Sequence, residues 1–184
     1  MDVVVSHECG HFGRARREIR ALLKRLGDLH PEVSRSGVDG IVLVRTSLGG
    51  RPVVQGCREA LNESSFEFQF ALKWVPVDYW CPSDLEALQN LLKEQVRPQI
   101  GTDETWGLRV IRHQWEHPTR DIVTHLAKAI DRRVNLKHPD KLVQVNVLGE
   151  QTAISVLRPG DFFSVPAARA LQPKTPKQDT IAHL

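Results

Sequence analysis

Two successive runs of elements emerge from the spacing of apolar positions. The β-branched run Val3-Val4-Val5 within Asp2–Ser6 predicts a buried strand. Phe12, Ala15, Ile19, Leu22, Leu23 and Leu26 then recur at helical spacing, and Gly27 follows as a stop. Glu32–Ser36 and Ile41–Ser47 read as strands about the turn Gly37-Val38-Asp39-Gly40. Gly49-Gly50-Arg51-Pro52 opens a second helix that carries Val53, Val54, Cys57 and Leu61 on one side. Phe66, Phe68 and Phe70 alternate within Phe66–Trp74, which predicts a half-buried strand. The sum over residues 1–75 is βαββαβ, the order of a ferredoxin-like split βαβ unit.

Val75-Pro76-Val77-Asp78 leaves that unit, and a second domain is expected over residues 76–165. Ser83 and Glu86 have the spacing of a capping box, ahead of a stripe of Leu85, Leu88, Leu91, Leu92 and Val96 that Pro98 ends. Thr105–His113 alternates Trp106, Leu108 and Val110 as a strand. Asp121–Ile130 is a short amphipathic helix with Thr119 as its expected N-cap and Ile122, Val123, Leu126, Ala129 and Ile130 inward. Lys141–Leu148 and Thr152–Arg158 form a hairpin-like pair about Gly149-Glu150-Gln151. The fold class is therefore mixed α/β (α+β). Residues 166–184, with Pro166, Pro173 and Pro176 and little apolar content, are expected to be a mobile tail.

Composition narrows the function classes only a little. The 184 residues are 41% hydrophobic and 26% charged, which suits one medium domain or two small ones. A net charge of +3 and a pI near 8.9 permit an anionic partner without demanding one. Cys9, Cys57 and Cys81 are odd in number and widely spaced, so a reducing compartment fits better than a disulfide framework. No apolar run is long enough to span a membrane, and the start lacks a leader pattern. The expectation is a soluble cytoplasmic protein.

The sharpest short motif is His7-Glu8-Cys9-Gly10-His11, which fits the H-E-x-x-H zinc-hydrolase pattern. That chemistry needs two imidazoles one helical turn apart and a glutamate to activate water. Here a strand runs straight into His7, Gly10 weakens a helix, and Arg14 and Arg17 occupy the glycine and third-histidine places of the extended motif. A polar loop is the better reading, and no metal ligand is assigned. Phosphate-binding glycine signatures and a nucleophile elbow are both lacking, so neither cofactor nor catalytic residue is expected.

Charge arrangement is more suggestive. Arg14, Arg16, Arg17, Arg20, Lys24 and Arg25 crowd the first helix against Glu18, although such a run is ordinarily just a solvated face. A second set lies in the later domain, where Asp103, Glu104, Glu116, Asp121, Asp131 and Asp140 dilute it. From that set Arg109, Arg112, Arg120, Arg132, Arg133, Lys137, Lys141 and Arg158 are the candidate RNA-phosphate contacts, with the start of the Thr119–Ile130 helix as a further anion site. Trp106 and Trp115 have the chemistry to stack on bases, though core or rim packing is their commoner role.

Several stretches, taken in order and spacing, resemble one known family. They are Gly10-His11-Phe12-Gly13-Arg14-Ala15 with Glu18-Ile19, Gly40–Thr46, Lys73-Trp74-Val75-Pro76-Val77-Asp78 with Asp84-Leu85-Glu86-Ala87, and the block Leu136–Leu157 containing Pro139-Asp140-Lys141. Up to about Val165 the chain resembles a THUMP-domain protein of the archaeal-type tRNA acetylation adaptor class. The resemblance implies an N-terminal ferredoxin-like domain and a THUMP domain that together capture tRNA. It also implies a stand-alone, noncatalytic adaptor that presents tRNA to a separate acetyltransferase forming N4-acetylcytidine, since only a short tail follows. One departure stands out: relatives tend to carry a basic, glycine-containing loop where this chain has His113-Gln114-Trp115-Glu116-His117-Pro118. The rival readings are a zinc-dependent hydrolase at His7 and His11, and a protein-interaction module without RNA affinity.

Overall fold

The computed structural model describes residues 2–64, 66–113 and 118–171. The first unit runs β1 (Val3–His7), α1 (Phe12–Arg25), β2 (Glu32–Arg35), β3 (Ile41–Arg45), α2 (Gly50–Asn62) and β4 (Ala71–Pro76). The second runs β5 (Tyr79–Pro82), α3 (Leu85–Leu91), β6 (Thr105–His113), α4 (Thr119–Ala127), β7 (Arg133–Val134), β8 (Lys141–Leu148) and β9 (Gln151–Leu157). A last pair, β10 (Phe163–Ser164) and α5 (Val165–Leu171), closes the described chain. The mixed α+β class expected from the sequence is the class observed.

In the first unit β4, β1, β3 and β2 pair antiparallel in that order. Val3, Val5, Val42, Val44 and Trp74 point to one face, where Ile19, Leu22 and Leu23 of α1 and Val53, Val54 and Cys57 of α2 cover them. The helical spacing of α1 is thus a burial pattern, and Gly27 ends it with a φ of 108° that suits glycine. Gly50 lets α2 start hard against the sheet. A Cβ there would lie 2.4 Å from the Asp2 carbonyl oxygen.

One strand is displaced from its expected place. The alternating phenylalanines precede β4 rather than form it: Phe66–Phe70 is bent chain, and the strand begins at Ala71. Their rings pack locally, Phe66 against Phe68 at 5.1 Å and Phe68 against Phe163 at 5.4 Å. The Glu18 carboxylate accepts the N–H groups of Gln69, Phe70 and Ala71, so this backbone needs no strand partner.

The second sheet has the order β5-β9-β8-β6-β7, parallel between β6 and β8 and antiparallel between β8 and β9. Val143, Val145, Val147, Ile154 and Val156 face Leu88, Ile122, Leu126 and Ile130. Trp106 is buried there and donates its Nε1–H to the Arg132 carbonyl, which makes it a core residue and not a stacking platform. The start of α3 is capped by Asp84, which accepts from the Ala87 N–H, while Ser83 bonds Thr152 instead of closing the expected capping box. Pro118 stands at the N-cap of α4, and the Thr119 hydroxyl accepts from Arg112.

The opposite faces of the two sheets meet through Val4, Ile41 and Leu43 on one side and Leu148, Ala153 and Trp80 on the other. The short link Val77–Asp78 is bonded to both units, Val77 N–H to Asp2 and Asp78 N–H to Ile154. Arg51 forms a clasp across the joint. It holds Asp78 at 2.6 Å and 3.1 Å, Asp161 at 3.4 Å and the Val156 carbonyl at 2.9 Å. After β9 the chain returns to the first unit, where β10 pairs with β4 and Val165 is buried in its core. The expected boundary at 165 is therefore not a break in the structure. The segment expected to be a tail from 166 begins as helix α5, tied by the Arg169 guanidinium to the Phe68 carbonyl. Residues 172–184 lie outside the described residues.

Candidate nucleic-acid interface

Phe162, just before β10, borders a hollow of about 510 Å³ at the seam between the units. Leu142 of β8 and its cross-strand partner Leu157 of β9 give it apolar walls with Pro139 and Pro159. Lys137, His138 and Arg158 supply basic groups, and the Lys73 ammonium sits 5.0 Å from the centre of the Phe162 ring. Burial, with Arg109 as a second cause, draws the Lys73 pKa below that of an ordinary lysine.

Asn135 and Gly107 position the basic loop. The Asn135 side chain accepts the N–H groups of Lys137 and His138 and donates to the His138 carbonyl. Its own N–H donates to Trp106. The loop crosses β6 at Gly107, where a Cβ would meet the Asn135 oxygen and the Pro139 ring, each at 3.2 Å.

Two acids line the same hollow, but both are occupied. Glu104 accepts the Gly101 N–H and pairs with Lys141 at 2.9 Å, and these hold its carboxyl below the usual range, with a smaller contribution from Arg158. Asp140 accepts both the hydroxyl and the N–H of Thr105, which likewise lower its pKa. By contrast the side chains of Lys137 and Arg158 make no hydrogen bond or ion pair among the described residues. The hollow therefore offers cationic groups beside an apolar and aromatic wall, suited to a phosphate with an attached base.

The other candidates do not line the hollow. Lys141 is only 8% exposed and is spent on Glu104 and the Gln99 carbonyl. Arg132 donates to the Ile100 carbonyl and to Asp131, with its side chain 19% exposed. Both are structural ties. Arg133 is exposed on β7, close enough to Asp140 to help lower its pKa. Arg109 is exposed on β6, close enough to Lys73 to help lower its pKa, while Arg112 reaches Thr119 and Arg120 is exposed in the first turn of α4. No side chain caps the start of α4. Trp115, Glu116 and His117 of the departing loop lie outside the described residues.

His138 and Phe162 were not among the expected contacts. Asn135 followed by Pro139-Asp140 is a turn signature that flags the loop, and a glycine inside a strand flags close approach of backbone. Phe162 carries no local signal, because β10 joins a sheet formed far earlier in the chain.

The zinc-like motif takes a different form. His7 ends β1 with its Nδ1 2.6 Å from the Glu8 carbonyl oxygen, while His11 lies beyond a turn, edge-on to Phe70 at 5.5 Å. A strand end and a turn place these rings, not one helical turn.

No protein-family model matches the chain. No curated protein matches it either. Among solved structures it is similar to PH1313 from Pyrococcus horikoshii Ot3, at 15% identity and a TM-score of 0.60, covering 86% of this chain and 55% of that one. TrmN from Thermus thermophilus is similar at 16% identity and a TM-score of 0.56, with 85% and 45% covered. A 4-thiouridine synthetase, solved as an RNA complex with bound ATP, is similar at 17% identity and a TM-score of 0.51, with 86% and 41% covered. The chain spans about half the length of these proteins or less. The likeness shows a shared fold of the THUMP type.

Proposed function

We propose that the protein binds tRNA and acts as a noncatalytic adaptor, presenting it to a separate enzyme, an acetyltransferase forming N4-acetylcytidine. The observation that carries the RNA reading is the hollow: Lys137 and Arg158, whose side chains are unpaired among the described residues, with His138 beside Phe162, Leu142 and Leu157. Phosphates favour the cations, and a base favours the apolar and aromatic wall. The fold shared with a synthetase solved in complex with RNA supports the same reading. The acetylation step rests on the sequence resemblance alone.

The purified chain should shift labelled tRNA transcript in a filter or anisotropy assay, with affinity falling steeply as salt rises. It should have no acetyltransferase activity by itself and should raise the activity of the partner enzyme. A chain that binds no tRNA at low salt ends the RNA reading, and one that acetylates tRNA unaided ends the adaptor reading.

One observation favours a protein-binding role. A hollow of about 490 Å³ opens between the hairpin tips of the two units, walled by Val38, Leu43, Trp80 and Leu148. Its apolar lining suits a hydrophobic side chain of a protein partner. In the adaptor reading this is where the enzyme would dock.

A further inference from the structure

The helix α1 lies on the outer face of the first sheet, the side away from the second domain. Its buried residues are Ala15, Ile19, Leu22 and Leu23. Arg16, Arg17, Arg20 and Lys24 are exposed and, at 3.6 residues per turn, fall within an arc of about 100° and an axial span of about 12 Å. None of the four has a hydrogen-bonding, ionic or aromatic partner among the described residues. Glu18 is turned away to hold the backbone before β4, so it does not neutralise the stripe. Two more cations flank the start of the helix: the Arg14 guanidinium is 5.5 Å from the Phe70 ring centre, and that of Arg35 is 4.0 Å from the Phe12 ring centre.

This arrangement is unfavourable for the folded chain alone. Like charges three and four residues apart weaken a helix, and Arg16, Arg20 and Lys24 form two such neighbours in series while Arg17 adds another. Elsewhere some arginines that reach solvent have been given acids, as Arg45 has Glu32 and Arg97 has Asp131. An external polyanion with regularly spaced charges would supply what the helix lacks.

We propose that the solvent face of α1 is a second RNA contact surface, binding phosphate backbone without reading bases, and separated from the hollow by the thickness of the first sheet. The inference rests on the RNA reading above, and it adds a requirement. The RNA must be folded or long enough to touch both the outer helix layer and the seam between the domains.

The test uses the full chain and an unmodified tRNA transcript, with binding measured by anisotropy over a salt series. Replacing Arg16, Arg17, Arg20 and Lys24 together by glutamine should lower the slope of log affinity against log salt by roughly 3, at about 0.7–0.9 per lost contact. Melting temperature should hold or rise, since the like-charge neighbours are relieved, whereas a structural role would lower it. The variant Arg16→Lys, Arg17→Lys, Arg20→Lys should keep the wild-type slope. A glutamine variant with the wild-type slope overturns the proposal, and loss of binding in Lys137→Ala/Arg158→Ala would then leave the RNA reading standing. Unaltered tRNA affinity with loss of a bound protein assigns the stripe to that protein and overturns it as well. A wild-type chain without tRNA affinity sinks both.

Discussion

Lys137 and Lys141 stand one helical turn apart in numbering, both in the basic stretch that leads into β8, yet the fold uses them in opposite ways. Lys141 is buried, with its ammonium divided between Glu104 and the Gln99 carbonyl. Lys137 is exposed on a loop that Asn135 holds in place, with its own side chain unengaged among the described residues. Arg132 and Arg158 repeat the contrast. The first ties Ile100 to Asp131, while the second borders the hollow with no hydrogen bond or ion pair from its guanidinium among the described residues. A count of basic residues treats these four alike. What separates them is whether the fold has already provided an acceptor, because an engaged cation must give up its partner before it can neutralise a phosphate.

Stability measurements give the strongest contrast. Lys141→Ala leaves the Gln99 carbonyl and the Glu104 carboxylate without their partner, and should cost about 2–3 kcal/mol in urea unfolding, since Glu104 is partly solvated. Lys137→Ala should lie within about 0.5 kcal/mol of wild type. Equal costs for the two would break the distinction. Next in size is Arg51→Ala, which opens the clasp between the units. Discounted for its exposure, the loss should be about 1–2 kcal/mol, and hydrogen exchange should quicken at the Val156 amide that Asp78 also holds.

Binding sharpens the same division with a smaller expected effect. Lys137→Ala with Arg158→Ala should reduce the salt slope for tRNA by about 1.5, at about 0.7–0.9 for each contact, with the melting temperature nearly unchanged. Arg132→Ala should instead lower the melting temperature. The smallest effect is a pH dependence. Arg97 holds the Asp131 carboxyl down to about 2, against an ordinary value of 3.8. A depressed carboxylate contributes stability above its unfolded pKa and loses it as pH falls through 3.8 toward 2. Thermal melts from pH 5 to pH 2 should show a shallow decline that Asp131→Asn flattens.

Much of the architecture was legible because it follows periodicity. The first five elements of the βαββαβ run, β6 and the β8–β9 hairpin lie where alternation and helical spacing put them, within a residue or two at their ends. The misplacements have physical causes. Phe66–Phe70 alternates, but its rings serve a local aromatic cluster and Glu18 satisfies its backbone. The two-residue strands β7 and β10 depend on partners remote in sequence and carry no period of their own. For the interface, charge was legible and engagement was not. Nothing in the order of residues says that Lys141 will find Glu104, or that Phe162 will border the loop of Lys137.

The central claim is that this chain holds tRNA on the cations its own fold leaves unengaged. Ultraviolet crosslinking of the full chain to bound RNA, with sequencing of the RNA and mapping of the modified peptides, tests it most directly. The account predicts enrichment of tRNA, with adducts in the peptides that carry Lys137–His138 and Arg158–Phe162. Absence of tRNA enrichment, or adducts confined to the face of α3 and the Arg97–Gln99 turn, would contradict it.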